Sequence, residues 1–287
     1  MTMWRVLLSV MCLLPLGCVQ VDACTSAIVG AARSASGATL LWKHRDTGAK
    51  ANYVSRHAST DSTFEYIALH NDTDTLSLEA WIGMNRAGFA VMNTATYNLA
   101  PDTAVVKDRE GFVMTMALQR CRTVGDFARL LDSLPRPMGV QANFGVIDAS
   151  GSAAFFETCD TGYKRYDVDP AQVVVRTNYS HSGGPERRLG LSRETTANRC
   201  LQPVERVSPR FIIDSISRLY IDPATGCKVA VPDSALFSKG EYIPRPISTA
   251  SIVIEAVPSA GRDGSDYVMW TTLGFPPTAR LNCIKFD

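Results

Sequence analysis

The chain has 287 residues, 46% of them hydrophobic and 20% charged, with 29 basic against 28 acidic side chains. That balance excludes a disordered, collagenous or polybasic chain, and a formal net charge of +1 gives no electrostatic reason to expect nucleic acid or an anionic membrane as partner. Eight cysteines in this length are too few for a disulfide-built scaffold, which leaves a globular protein whose partner is a small molecule.

At the N-terminus, Arg5 precedes an apolar run from Val6 to Leu16, and a short polar stretch ends in Val21-Asp22-Ala23. This is the layout of a secretory signal peptide, and the run is too short to span a bilayer as a stable helix. The small residues Val21 and Ala23 set cleavage between Ala23 and Cys24, so residues 1–23 are expected to be a leader. The mature protein is expected to be exported, periplasmic or extracellular. An oxidising compartment could pair its cysteines, Cys24, Cys121, Cys159, Cys200, Cys227 and Cys283, although reserving Cys24 for chemistry leaves an odd number.

Beyond Cys24 no linker, low-complexity tract or internal repeat interrupts the sequence, so residues 24–287 read as one domain. Thr25 to Gly30 and Thr39 to His44 are apolar runs separated by Ser36-Gly37, which suggests a hairpin with Cys24 at its open end. Phe89 to Met92 reads as a buried strand after the turn signal Arg86-Ala87-Gly88. From Arg109 to Leu134 the period changes to that of two helices, the second opened by a capping box of Thr123 and Asp126 and closed by Pro135 and Pro137. Asn143 to Ile147 and Ala153 to Glu157 flank a turn at Asp148-Ala149-Ser150-Gly151, and Val173 to Arg176 adds a further strand. Pro209 opens an expected helix through Tyr220. Three terminal strands are expected near Ser251 to Ala256, Tyr267 to Thr272 and Leu281 to Phe286. Strands at both ends with helices between them predict an α+β fold of sheets covered by helices, not a doubly wound parallel sheet.

Cys24 admits three readings: a structural thiol, a lipidated cysteine, or a nucleophile created by cleavage. Val-Asp-Ala-Cys resembles a lipobox, which keeps alive a lipid-anchored, non-catalytic protein of the cell envelope. At a new N-terminus, however, the thiol sits beside its own α-amine. That amine has a pKa of about 7.7–8.0, low enough to serve as a general base near neutral pH without a histidine. His44, His57, His70 and His181 show no metal-ligand spacing, there is no Cys-x-x-Cys, and Gly83 to Gly88 lacks the spaced glycines of a dinucleotide fingerprint, so no metal or cofactor is expected.

Read in order, the chain offers Cys24-Thr-Ser-Ala-Ile-Val, Gly37-Ala-Thr-Leu-Leu-Trp-Lys-His-Arg-Asp46, Gly83-Met-Asn-Arg-Ala-Gly-Phe-Ala-Val-Met-Asn93 and Arg176-Thr-Asn178-Tyr-Ser. This ordered set resembles the N-terminal nucleophile hydrolases, in the branch of choloylglycine hydrolases, penicillin V acylases and isopenicillin N acyltransferases, over nearly all of residues 24–287. The resemblance implies a four-layer αββα sandwich. It also implies an enzyme that cleaves a linear amide C–N bond of a small N-acyl amide substrate through a Cys24 thioester, with hydrolysis and acyl transfer both open, and often as a homo-oligomer. On the same footing Asp46 orients the nucleophile's amine and Lys43 stands where the family has an arginine, with Arg45 as substitute. Asn178 is an oxyanion donor and Asn93 a second candidate. Arg193 matches an active-site arginine, a choice contested by Arg187, Arg188 and Arg199. A surface salt bridge is the competing reading for Lys43 and Arg45, and Asn178-Tyr179-Ser180 is also a glycosylation sequon.

Overall fold

Two short apolar runs joined by a glycine turn form the hairpin that starts the fold: β1 (Thr25–Val29) pairs antiparallel with β2 (Thr39–Asp46). The computed structural model describes residues 23–100, 103–232, 242–256 and 267–287, so the expected leader up to Asp22 lies outside the described residues. Along the chain there follow β3 (Asn52–His57), β4 (Tyr66–Asn71), β5 (Ile82–Asn85), β6 (Phe89–Ala95), α1 (Glu110–Arg120) and α2 (Val124–Ser133). After these come β7 (Ala142–Asp148), β8 (Ala153–Cys159), β9 (Gly162–Asp167), β10 (Val173–Arg176), α3 (Leu191–Leu201), β11 (Ser248–Ala256), β12 (Tyr267–Leu273) and β13 (Leu281–Lys285).

The strands build two antiparallel sheets. The first has the order β10-β1-β2-β11-β12-β13 and the second runs β3-β4-β5-β6-β7-β8-β9. Alternation within the strands gives each sheet two apolar faces. Ile28, Leu41, Ile67, Ile82, Phe155 and Ile252 pack between the sheets. On the outer face of the second sheet Val113, Leu118, Phe127 and Leu131 of α1 and α2 cover Phe89, Phe144 and Phe156. Phe127 meets the Phe144 and Phe156 rings edge-on at 5.4 and 5.2 Å. On the outer face of the first sheet Ala197 and Leu201 of α3, with Ile212, Ile213 and Ile216, cover Val29, Leu40 and Trp42. The result is the expected helix–sheet–sheet–helix sandwich. Among the described residues no helix is long and apolar enough to cross a membrane.

The expected capping box is present, with Thr123 Oγ1 accepting from the Asp126 amide at 3.0 Å and Asp126 accepting from the Thr123 amide at 2.9 Å. The segment after Pro209 departs from expectation. Only Pro209–Phe211 is α-helical, and Ile212–Ser217 widens into a π-helical turn that ends short of Tyr220. The wider turn directs Ile212, Ile213, Ile216 and Ser217 inward, where the Ser217 hydroxyl meets Ser251 of β11 at 2.8 Å. Strands β3, β4, β5 and β9 and helix α3 have no counterpart in the sequence reading. Of these, β3 and β9 are half-exposed edges without a clean alternation, and α3 buries Arg193, Glu194 and Thr196 rather than an apolar stripe.

Candidate active site

Strand β2 organises the site, because all eight of its residues are buried while its chemistry changes midway from Thr39-Leu40-Leu41-Trp42 to Lys43-His44-Arg45-Asp46. Leu41 packs between the sheets and Trp42 against the α3 layer, so strand alternation turns Lys43 and Arg45 toward the second sheet and His44 and Asp46 toward the helical side. The β1 pairing sets Thr25 opposite His44 and Ser26 opposite Lys43, which delivers Cys24 to the polar end of the strand. Cys24 is 6% exposed, and its Sγ lies 3.9 Å from the Asp46 backbone carbonyl, which also accepts from the Ala23 amide at 3.2 Å.

The fully buried Asp46 carboxylate is held by other groups than Cys24. Arg245 grips one oxygen through Nε at 3.0 Å and Nη2 at 2.7 Å, and Nη2 also donates to the Ala23 carbonyl at 3.0 Å. The Ser248 hydroxyl donates to the other oxygen and accepts from the Arg245 amide. Ser248 has thereby spent its one proton, so its 3.0 Å contact with His44 Nε2 assigns the Nε2–H tautomer to His44 and leaves Nδ1 buried without a hydrogen-bond partner. Burial pushes the His44 pKa down to about 4, against the pull of Asp46 and helped by Arg245 and Arg193. Arg245 and Ser248 escaped the sequence reading, since Arg245-Pro-Ile-Ser248 carries neither a motif nor a period.

Helix α3 brings Arg193 beneath Cys24. Its Nη1 donates to the Cys24 carbonyl at 2.6 Å and to Thr25 Oγ1 at 2.9 Å, while Nη2 donates to Asn178 Oδ1 at 2.7 Å. Burial, then the neighbouring Arg245, lowers the Arg193 pKa to about 10, opposed by Asp46 and Cys24. Gly190 opens α3 at φ 88°, where a Cβ would stand 2.4 Å from Arg193 Nη2, so both the turn and the guanidinium require glycine. Arg199 instead donates to the carbonyls of Pro223 and Ala224, and Arg187 and Arg188 are exposed, so of the four arginines it is Arg193 that reaches Cys24 and Asn178. Asn178 is fully buried and donates to the Ala95 carbonyl at 2.9 Å, leaving no room for a glycan on its amide.

Lys43 and Asn93 meet across the sheets, with Lys43 Nζ donating to Asn93 Oδ1 at 2.6 Å and to the Trp81 carbonyl at 2.9 Å. Arg45 donates to Asn52 and Asn71 and lies over the Trp81 ring at 5.0 Å. Both cations are nearly inaccessible, at 1% and 3% exposure, so the surface salt-bridge reading is overturned. All six sequence candidates therefore lie at one end of the sandwich: Cys24, Asn178 and Arg193 in one connected group, Asp46 touching Cys24 through its backbone, and Lys43 with Asn93. Beside Asp46 and Ser248 opens a cleft of about 320 Å³ lined by Thr47, Lys50, Ile247, Thr249 and Phe275. His181 pairs with Glu194 at 2.9 Å, and His57 faces His70 at 3.3 Å on the edge of the second sheet. The six described cysteines all carry free thiols, so the pairing open to an oxidising compartment is not realised in this structure.

This topology has relatives. The solved structure of the Caenorhabditis elegans N-acylethanolamine-hydrolyzing acid amidase ortholog aligns with 92% of this chain and 100% of its own at 13% identity and a TM-score of 0.55. Penicillin V acylase from Agrobacterium tumefaciens aligns with 91% of this chain and 86% of its own at 14% identity, with a TM-score of 0.48. A variant of conjugated bile acid hydrolase from Clostridium perfringens aligns with 92% of this chain and 97% of its own at 8% identity, with a TM-score of 0.49. No curated protein matches by sequence. The family described as acyl-coenzyme A:6-aminopenicillanic acid acyl-transferase matches residues 34–219, a span that holds Lys43, Asp46, Asn93, Asn178 and Arg193. With that match over well more than half of the sequence, the chain belongs to this family of acyl-transferring enzymes, on the N-terminal nucleophile hydrolase fold.

Proposed function

We propose that this enzyme is exported, loses residues 1–23, and uses the resulting N-terminal Cys24 to cleave the C–N bond of a small linear N-acyl amide. The observation that carries the reading is the placement of Cys24 at the head of β1, with Arg193 joining its carbonyl to the Asn178 side chain. Removal of Ala23 turns the Cys24 nitrogen into an amine, which accepts the thiol proton as Sγ attacks the amide carbonyl. The tetrahedral oxyanion receives a hydrogen bond from the Asn178 amide, a donor of a kind worth about 2.7–4 kcal/mol in kcat, and Asn93 is the second donor. As the C–N bond breaks, the α-ammonium passes its proton to the leaving amine and a Cys24 thioester remains. Water resolves it to the acid, or a second amine resolves it to a new amide. Asp46, held by Arg245 and Ser248, keeps its carboxylate beside the N-terminus, and Lys43 holds Asn93 in place.

The test is intact mass and N-terminal sequencing of the exported protein before and after alkylation with iodoacetamide. A chain that begins at unmodified Cys24 and takes one label there, lost in Cys24→Ala together with turnover of N-acyl anilides, supports the proposal. A chain lipidated at Cys24, or beginning at another residue, lacks the catalytic amine and refutes it.

A further inference from the structure

The segment that carries Asn178 is held by the opposite sheet. β10 ends at Arg176, and beyond it Thr177 to Ser182 leave the ladder with backbone groups that β1 does not pair. Side chains of the second sheet meet them. Asn143 Nδ2 donates to the carbonyls of Thr177 at 3.2 Å and Tyr179 at 2.9 Å, and its Oδ1 accepts the Ser180 hydroxyl at 2.8 Å. Glu157 accepts from the amides of His181 at 3.0 Å and Ser182 at 2.8 Å, from the Ser182 hydroxyl, and from Arg176 Nε at 2.9 Å. Asn143 and Glu157 stand directly opposite each other in the β7–β8 ladder, so alternation puts both on the face turned toward the first sheet. Both are buried, at 0% and 2% exposure.

We propose that Asn143 and Glu157 form a positioning clamp for the active site, fixing Asn178 relative to Cys24 from both sides without touching substrate. This rests on the reading of Cys24 as nucleophile and Asn178 as oxyanion donor. Buried polar groups of this number are costly unless every one is matched, and here the carboxylate and the amide together match the segment that the sheet ladder leaves open. An oxyanion donor is effective when it is held in place before charge develops, and a displacement of about 1 Å can cost on the order of a hundredfold in rate. Hydrogen bonds from Ser182 and His181 and the Arg176 charge overcome burial and hold the Glu157 pKa below the usual glutamate value, so the clamp stays ionised at neutral pH.

The experiment uses the mature enzyme, N-acyl anilides as substrate and iodoacetamide as thiol probe. In Glu157→Gln, kcat should fall about tenfold or more with KM little changed, because the lost interaction is realised in the transition state. Cys24 alkylation should keep its wild-type rate. Combined with Asn178→Ala, Glu157→Gln should cost nothing further, since it acts only through Asn178. Additive losses, an unchanged kcat, or alkylation falling in step with kcat would overturn the clamp. Hydrogen exchange gives a readout independent of turnover: the His181 and Ser182 amides should exchange faster in Glu157→Gln, and unchanged exchange also overturns the proposal. A wild type that is alkylated at Cys24 but cleaves no anilide counts against the functional reading alone, while exchange still decides the clamp. If Glu157→Gln does not accumulate folded, Asn143→Ser makes the same test from the other strand, with faster exchange of Ser180 and its neighbours as the supporting result.

Discussion

The two halves of β2 are equally buried and chemically opposite. Thr39-Leu40-Leu41-Trp42 stabilises the fold by removing apolar surface from water, whereas Lys43-His44-Arg45-Asp46 carries charge into the same interior. The polar half is tolerated because partners from other elements meet each group: Asn93 for Lys43, Asn52 and Asn71 for Arg45, Ser248 for His44, and Arg245 for Asp46. One half of the strand is thus secured by area and is insensitive to direction. The other is secured by hydrogen-bond geometry, and that requirement gives a site its fixed orientation.

Substitutions can separate the two regimes. The largest effect on stability is expected on the apolar side, where Trp42→Ala removes a fully buried side chain and its indole bond to Ser251, at a cost of about 3–5 kcal/mol. Denaturant unfolding measures this, and the protein that remains folded should still take label at Cys24. On the polar side Arg245→Lys keeps the charge but loses the two-pronged grip on Asp46, for an expected loss of about 1–3 kcal/mol. A larger fall in amide turnover than in folded fraction is the expected signature, and parallel falls would erase the distinction between the halves.

The smallest effect at neutral pH belongs to His44. Its folded pKa, lowered to about 4 from 6.5, means that between these values the unfolded chain binds a proton that the folded chain refuses. Stability contributed by neutral His44 is therefore present above pH 6.5 and declines as the pH falls toward 4. His44→Asn should flatten thermal unfolding midpoints across that window while leaving them little changed at pH 7.5. An unchanged slope would show that acid sensitivity comes from the carboxylates instead.

Much of the scaffold was legible locally. The β1–β2 hairpin, the α1–α2 pair with its capping box at α2, the β7–β8 hairpin and the three terminal strands each depend on residues close in sequence, through alternation, a capping box or a turn. The π-helical turn after Phe211 was not, because its widening answers to Ser251 and to the packing of three isoleucines against the first sheet. In the site, Cys24, Lys43, Asp46, Asn93 and Asn178 stood out because they sit in short motifs on or beside strands that could be recognised. Arg193 could be proposed but not chosen over its neighbours until burial on α3 separated it from Arg199. Arg245, Ser248, Asn143 and Glu157 left no local signal at all.

The sequence by itself determined where the two hairpins, the α1–α2 pair and the terminal strands fall and which family pattern the chain follows, since each rests on short-range order or on a motif. Only the tertiary structure decided that Arg245 reaches Asp46 across 199 positions and that Glu157 lies opposite Asn143 and grips the loop after Arg176. Those contacts follow from which strands pair and in what register. Strand pairing is settled by the joint burial of both sheets, and no short segment contains it.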